Sequence, residues 1–328
     1  MTLVLDEAQV RQVLEMPDAI TAMEALCREE AAGQTISAER IHLRLPRGFL
    51  RILPGVLTQS GVMGYKAFHT NGHGVRYAIH LFDFETGAPL AMMDANYVTA
   101  IRTGAMAGVA LKYLSPADAT RVGIIGSGAE ARSELAALMA VRPGIRSGRV
   151  FSPRPERREA FAKEMSATYG LDLTAVEQPQ RAIDGAEILL VATGTRGGGV
   201  ALEGAWLHAG LHINSIGSTA PEQREIDPEV WRRADRIALD THRLLHESGD
   251  ALAAEEAGAL DRAKIVELHQ IVAGQAAGRE GAGQTTLYKS VGTGLQDIAA
   301  AGRIYQRARD QGLGSEMPDF QTAKLPSR

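Results

Sequence analysis

The chain has 328 residues, a formal net charge of −4 and a pI near 6.2. That length suffices for two domains and a large core, and the charge lacks the basic surplus that a nucleic-acid or anionic-membrane partner calls for. One cysteine, Cys27, excludes an intramolecular disulfide framework and a CxxC redox or zinc site; it reads as a small core residue. No basic region precedes an apolar core at the amino terminus, and no apolar run approaches the ~18 residues of a membrane span, so a cytoplasmic protein with small-molecule chemistry is expected.

Up to about residue 115, hydrophobic spacing predicts helices near 6–14 and 17–32, then strand-like pieces around 40–46, 49–53, 62–69 and 77–83, and Pro89–Asp94. Turn residues punctuate these pieces, as in an α+β layer. Thr99–Leu114 carries small and apolar residues on nearly every face and reads as a buried helix that links two units, ended by Ser115-Pro116. The segment Arg121-Val-Gly-Ile-Ile-Gly-Ser-Gly-Ala-Glu-Ala131 then reads as strand, glycine turn and helix. Gly126 allows the tight turn, Gly128 lets backbone N–H groups approach a pyrophosphate, and Ala131 stands where a third glycine lets helix and strand pack closely. A phosphate would rest on the helix N-terminus.

A lone G-x-G-x-x-A also joins strands to helices for steric reasons, but its context points to a dinucleotide. Apolar runs at Arg149–Ser152, Ile188–Thr193, His212–Gly217 and Arg236–Asp240 alternate with helical stretches. The fold class expected is therefore α/β, a Rossmann-type doubly wound parallel sheet beside an α+β domain. Strand carboxyl ends make Ala192-Thr193 and Gly217-Ser218 candidate cofactor contacts. Residues 273–283, rich in glycine and alanine, read as mobile. Thr286–Asp297 leads into a helix with Ile298, Ala301 and Ile304 on its apolar face, expected to return to the first domain. The last dozen residues read as a loose tail. This divides the chain into 1–115, joined by a helix at about 300–328, and 116–299.

Two charges stand in apolar surroundings. Lys66 lies within the strand-like Gly64-Tyr-Lys-Ala-Phe68, and Arg102 near the start of the buried helix. Charges rarely sit there without a partner. A lysine in a partly desolvated cleft can act as acid or base, and an arginine can take a carboxylate with two parallel N–H bonds, which together suit an amino or imino acid. A structural ion pair is the other reading of the same residues.

Lys66, Thr86–Asp94, Thr99-Ala-Ile-Arg-Thr-Gly-Ala105, Gly126-Ser-Gly-Ala-Glu-Ala131 and Ser290-Val-Gly-Thr-Gly-Leu-Gln-Asp297, in this order across nearly the whole chain, resemble the signature of the ornithine cyclodeaminase/μ-crystallin family. The resemblance implies a homodimer built through the amino-terminal domain, a Rossmann domain binding NAD(H) or NADP(H), and a substrate between the domains. It implies that Arg40 and Arg102 hold the substrate carboxylate, that Lys66 sits beside the reacting nitrogen or carbonyl, and that Thr103 touches a cofactor phosphate from the amino end of its helix. Arg51 stands near the family's usual Met-Pro turn, as a second anion contact or a surface salt bridge. The cofactor-binding set becomes Thr103; Gly126, Ser127, Gly128, Ala129, Glu130 and Ala131; Ser152 and Arg154; Ala192 and Thr193; Gly217 and Ser218; and Ser290, Val291 and Gly292.

Departures from the family pattern choose among its activities. Cyclodeaminases carry an aspartate in a glycine-aspartate-x-proline turn, where this chain has Gly217-Ser-Thr-Ala-Pro221 with Thr219 in that place. A threonine hydroxyl does not ionise near neutral pH and cannot replace a carboxylate base, which disfavours ornithine cyclodeamination and weakens an alanine-type dehydrogenase. Glu225 and Asp227 lie nearby, yet read as acids at a helix start. Reduction of an α-imino acid, cyclic or acyclic, is the activity expected, with a non-catalytic binding protein of the μ-crystallin type as the alternative from another class. Phe151-Ser-Pro-Arg-Pro155 has no acid for the ribose hydroxyls, and Arg154, with Arg157 or Arg158, suits a 2′-phosphate, so NADP(H) is favoured over NAD(H). Glu130 replaces a usual glutamine and calls for an arginine such as Arg132. His69 with His73 and His242 with His246 lack a third ligand, so no metal is expected, and Ser152, Ser218 and Ser290 lack a nucleophile elbow.

Overall fold

The computed structural model of the protein describes residues 1–194 and 199–318. Its strands are β1 (Thr2–Leu5), β2 (Thr35–Ser37), β3 (Ile41–Leu45), β4 (Gly48–Leu57), β5 (Val62–Thr70), β6 (Arg76–Asp83), β7 (Pro89–Asp94), β8 (Arg121–Ile125), β9 (Ser147–Phe151), β10 (Asp172–Ala175), β11 (Ile188–Val191), β12 (His212–Ser215), β13 (Arg236–Leu239), β14 (Ile265–Glu267), β15 (Thr286–Lys289) and β16 (Ser315–Met317). They form two sheets in two compact units: Met1–Arg102 with the chain from Thr293 onward, and Thr103–Gly292. The divisions fall at 102/103 and 292/293 rather than the expected 115/116 and 299/300. One cause is the Asn96–Leu114 helix, whose first turns count with one unit and whose remainder counts with the other. The second is the C-terminal helix, which begins at Gly294.

In the first unit the strand order is β16-β1-β7-β6-β5-β4-β2, with β3 also paired to β4. Among the described residues only β1 and β7 run parallel; hairpin connections make β3 to β7 antiparallel in succession, and β1 with β16 and β2 with β4 are antiparallel as well. The Gly294–Gln311 helix packs on β4 and β5 and against the Met16–Ala31 helix. It buries Leu295, Ile298, Ala301, Ile304 and Ala308, a stripe at helical spacing. Thr293 caps its start by accepting from the Gln296 N–H, and Gly312, with φ +65°, ends it. Close approach needs glycine: a Cβ on Gly64 would stand 2.1 Å from the His80 carbonyl oxygen.

All eight strands of the second unit are parallel, in the order β10-β9-β8-β11-β12-β15-β13-β14. In β11, Ile188 and Leu190 join a core with Leu135, Leu138 and Phe161, whereas Leu189 and Val191 join another with Ile183, Trp231 and Leu244. Both faces are covered, which explains the unbroken apolar run. Residues 273–283, expected to be mobile, are tied down through Arg279, which donates to the carbonyls of Leu114 (2.6 Å) and Gln284 (2.6 Å) and to Thr286 Oγ1 (3.0 Å). Of the expected loose tail, 319–328 lie outside the described residues, while Met317 closes β16 against β1. Among the described residues no helix is long and apolar enough to cross a membrane.

Candidate active site

Lys66 pairs in register with Leu53 of β4 and Ile79 of β6, both buried, so its side chain stands on the sheet face that meets the Gly294–Gln311 helix. It is 2% exposed. A lone ammonium there would carry a large desolvation penalty. Lys66 Nζ meets Asp297 Oδ1 at 2.9 Å and Thr99 Oγ1 at 3.4 Å. The same Oδ1 accepts from Arg102 Nε at 3.0 Å, while Arg102 Nη1 donates to Gln296 Oε1 at 2.8 Å. Asp297 is fully buried, and its Oδ2 has no hydrogen-bond partner among the described residues. Two cations thus share one carboxylate oxygen, leaving the cluster with a formal positive excess and an open acceptor. Asp297 ends the Ser290–Asp297 motif, but 231 residues separate it from Lys66, so the sequence does not show their pairing. Its place in the first turn of a helix also suits the dipole there. Arg40, half-buried, immediately precedes β3.

In the second unit, Gly126 has φ +121°, and a Cβ there would stand 2.2 Å from the Ala192 carbonyl oxygen. Only glycine passes this turn. Gly128 caps the Ala129–Val141 helix with open space where a Cβ would be, and Ala131 is buried behind it. Ser127 Oγ donates to Ser152 Oγ at 2.9 Å, tying the turn to the end of β9. A cleft of 480 Å³ opens here, lined among others by Gly126, Gly128, Ser152, Arg154, Arg157 and Thr193. The turn, the helix terminus and the cleft together fit the pyrophosphate of a dinucleotide. Thr103 is the eighth residue of the Asn96–Leu114 helix, not at its amino end as expected. The neighbouring Gly104 lies against the Ala129–Val141 helix, where an added Cβ would meet Ser133 Oγ at 2.3 Å.

Other strand-end residues face inward. Glu225, expected at a helix start, is fully buried and is the second residue that the sequence did not reveal. Its Oε2 accepts from Thr193 N and Oγ1, both at 2.8 Å, and its Oε1 from Ser215 Oγ at 2.7 Å and Gly217 N at 2.9 Å. Lys289 Nζ lies 3.7 Å from Glu225 Oε1 and 3.0 Å from Asp250 Oδ2. Asp227 is the acid that caps the following helix, accepting from Val230 N. Burial pushes the Glu225 carboxyl above the usual range, and burial with the neighbouring Glu225 and Glu130 charges pushes Glu134 well above it. His212 is pushed down to about 3, first by burial and then by Arg279, and is bound between Thr286 and Asn214.

Several expected cofactor contacts have internal partners. Ser218, at φ +59°, donates to the Gln223 carbonyl at 2.6 Å, and Thr219 N and Oγ1 donate to Gln223 Oε1. Ser290 Oγ and the Val291 and Gly292 N–H groups all donate to Asp240. Arg132 binds Glu164 at 2.6 Å and donates to the Ser127 carbonyl.

A glycine turn at the end of the first strand of a doubly wound parallel sheet defines the dinucleotide-binding class of oxidoreductase, with a nicotinamide cofactor. The chain belongs to the ornithine cyclodeaminase/mu-crystallin family, which it matches over residues 1–312. It is 31% identical to the alanine dehydrogenase of Archaeoglobus fulgidus over 330 residues, covering 97% of this chain and 99% of that protein. The Thermococcus litoralis Delta(1)-pyrroline-2-carboxylate reductase in complex with NADH and L-proline has the same fold, with a TM-score of 0.91, 34% identity and coverage of 96% of this chain and 100% of the other. An archaeal alanine dehydrogenase dimer with bound NAD superposes with a TM-score of 0.90 at 28% identity, covering 97% and 99% of the two chains.

Proposed function

We propose that this oxidoreductase reduces the C=N bond of a small α-imino acid to give an amino acid. The observation that carries this reading is the buried Lys66–Asp297–Arg102 cluster, whose positive excess suits a carboxylate. Arg102, with Arg40, takes the α-carboxylate and fixes the substrate's orientation. Lys66 stands at the imine nitrogen and provides the proton that the nitrogen gains. Asp297 holds both cations in place. When bound, the nicotinamide supplies the hydride to the imine carbon and is oxidised. Thr219 offers only a hydroxyl, already donated to Gln223, so the hydrolytic step of a cyclodeaminase lacks a carboxylate at that position.

The glycine turn, Ser127 and Ser152 hold the dinucleotide, and Arg154 with Arg157 takes a 2′-phosphate, favouring NADP(H). Similarity to the Thermococcus litoralis reductase, at 34% identity, supports imine reduction; similarity to the Archaeoglobus fulgidus alanine dehydrogenase supports the reverse direction as a second reading. The first unit is the substrate-binding and dimerisation domain in this reading. Exposed Ile41, Leu43 and Leu45, at 49%, 52% and 46%, alternate along β3 and give a pairing surface for a homodimer.

The test follows reduced-nicotinamide absorbance with NADPH and NADH while cyclic imino acids, and α-keto acids with ammonium, are offered. Consumption is expected with an imine and greater efficiency with NADPH. Silence across the panel despite cofactor binding would establish a binding protein instead. Arg154→Ala should weaken NADPH about tenfold more than NADH; equal losses would remove Arg154 from the 2′-phosphate.

A further inference from the structure

Strand order in the second sheet reverses between β8 and β11, with β9 and β10 on one side and β12 and β15 on the other. A dinucleotide laid across such a reversal puts its adenosine half at the ends of the first strands and its nicotinamide half at the ends of the next. Gly126, Ser152 and Arg154 belong to the β8 and β9 ends of the cleft, and Thr193, beyond β11, lines it as well. The last registered pair of β11 and β12 is Val191 with Ser215. Thr193 and Gly217 each lie two residues further on, where the ladder has ended.

Glu225 replaces the missing rung. Its Oε2 accepts from Thr193 N and Oγ1, both at 2.8 Å, and its Oε1 from Gly217 N at 2.9 Å. Lys289 Nζ donates to the Gly217 carbonyl at 2.5 Å and to Ser215 Oγ at 2.9 Å, so Gly217 is gripped at its N–H by the acid and at its C=O by the base. Asp250 Oδ1 fixes the backbone that carries the acid, accepting from Glu225 N at 2.7 Å and Ile226 N at 3.1 Å. A Cβ on Gly217 would stand 2.2 Å from Glu225 Oε2 and 2.7 Å from the Thr193 carbonyl oxygen, so the carboxylate fits between the strand ends only beside glycine. A fully buried ion cluster is a costly way to stabilise a fold. What this one supplies is a fixed arrangement of two chain segments past the end of their ladder.

We propose that Glu225, with Lys289, is a positioning residue for the nicotinamide half of the cofactor, acting through Thr193 and Gly217. This rests on the dinucleotide reading of the cleft and is independent of which substrate is reduced.

The experiment measures affinity by titration calorimetry for NADPH and NADH and for the adenosine fragments adenosine 2′,5′-bisphosphate and ADP, well below each variant's melting temperature. Glu225→Gln keeps the side-chain volume but has one acceptor oxygen, so one of the two strand ends meets an amide NH2 instead. It should weaken both dinucleotides about tenfold and both fragments by less than about twofold. Ser215→Ala, at a fully buried position, removes only the hydroxyl between Lys289 and Glu225 and should show the same split at about threefold; it decides the matter where Glu225→Gln does not fold. Equal losses of dinucleotide and fragment, or unchanged dinucleotide affinity, would overturn the proposal and leave the pair a brace for the sheet alone. A native protein that binds neither dinucleotide would overturn the dinucleotide reading of the cleft and this inference with it.

Discussion

Two buried carboxylates organise the two units, and they do so in opposite ways. Asp297 gathers Lys66 and Arg102 onto one oxygen and leaves the other open, so its cluster has more positive than negative charge. Glu225 uses both oxygens on the chain itself, bracing Thr193, Ser215 and Gly217 at the ends of the central parallel strands. Around Glu225, Asp250 and Glu134 join it against Lys289, and burial pushes the Glu134 carboxyl well above its usual range. A cluster with an excess of cations suits a carboxylate, whereas one whose glutamate oxygens are taken by the strand ends braces the chain. In the proposed imine reduction, the first unit's cluster carries the chemistry and the second's is scaffolding.

The comparison breaks most visibly at Lys289. Lys289→Met leaves Glu225 and Asp250 buried without their cation and should cost about 3–5 kcal/mol in urea unfolding; an unchanged midpoint would show that the cluster does not hold the strand ends. Asp297→Asn should lower both stability and activity, since it leaves Lys66 and Arg102 buried without their shared counter-charge. It removes the charge between Lys66 and Arg102, and we expect a loss of about 10–100-fold in kcat/KM for the imine with cofactor affinity unchanged. Parallel losses of substrate and cofactor binding would make Asp297 a scaffold residue like Glu225. The smallest effect belongs to Glu134→Gln. With its folded pKa raised, Glu134 contributes stability that is present below the ordinary carboxylate range and is lost as pH rises through the raised value. The variant should therefore lose part of the native protein's decline in melting temperature between acidic and alkaline pH. An unchanged decline would show that Glu134 does not titrate in that window.

The glycine turn and the strands β8, β9, β11, β12 and β13 were legible because buried parallel strands and tight turns leave local signatures, as at Ile188–Val191 and Gly126. Strands of three or four residues such as β1, β2, β10 and β16 have too few positions for a period to show. β15 runs between β12 and β13 in the sheet, an order that no local pattern encodes. Lys66 and Arg102 could be singled out as charges in apolar runs, but not their shared partner, which reaches them only through tertiary packing. Glu225 escapes local pattern for a related cause: the loop from Ser218 to Gln223 folds back through its own hydrogen bonds and carries the acid beneath the strand ends.

Strand β3 alternates basic and apolar residues, so its two faces differ only by parity. Inserting one residue at the Pro46-Arg47 turn without a compensating bulge would turn Arg44 outward and Leu43 inward together. Point substitutions can vary this hairpin one side chain at a time, but a change in its length exchanges both surfaces at once. Evolution of this edge is therefore expected to proceed by replacement at constant loop length.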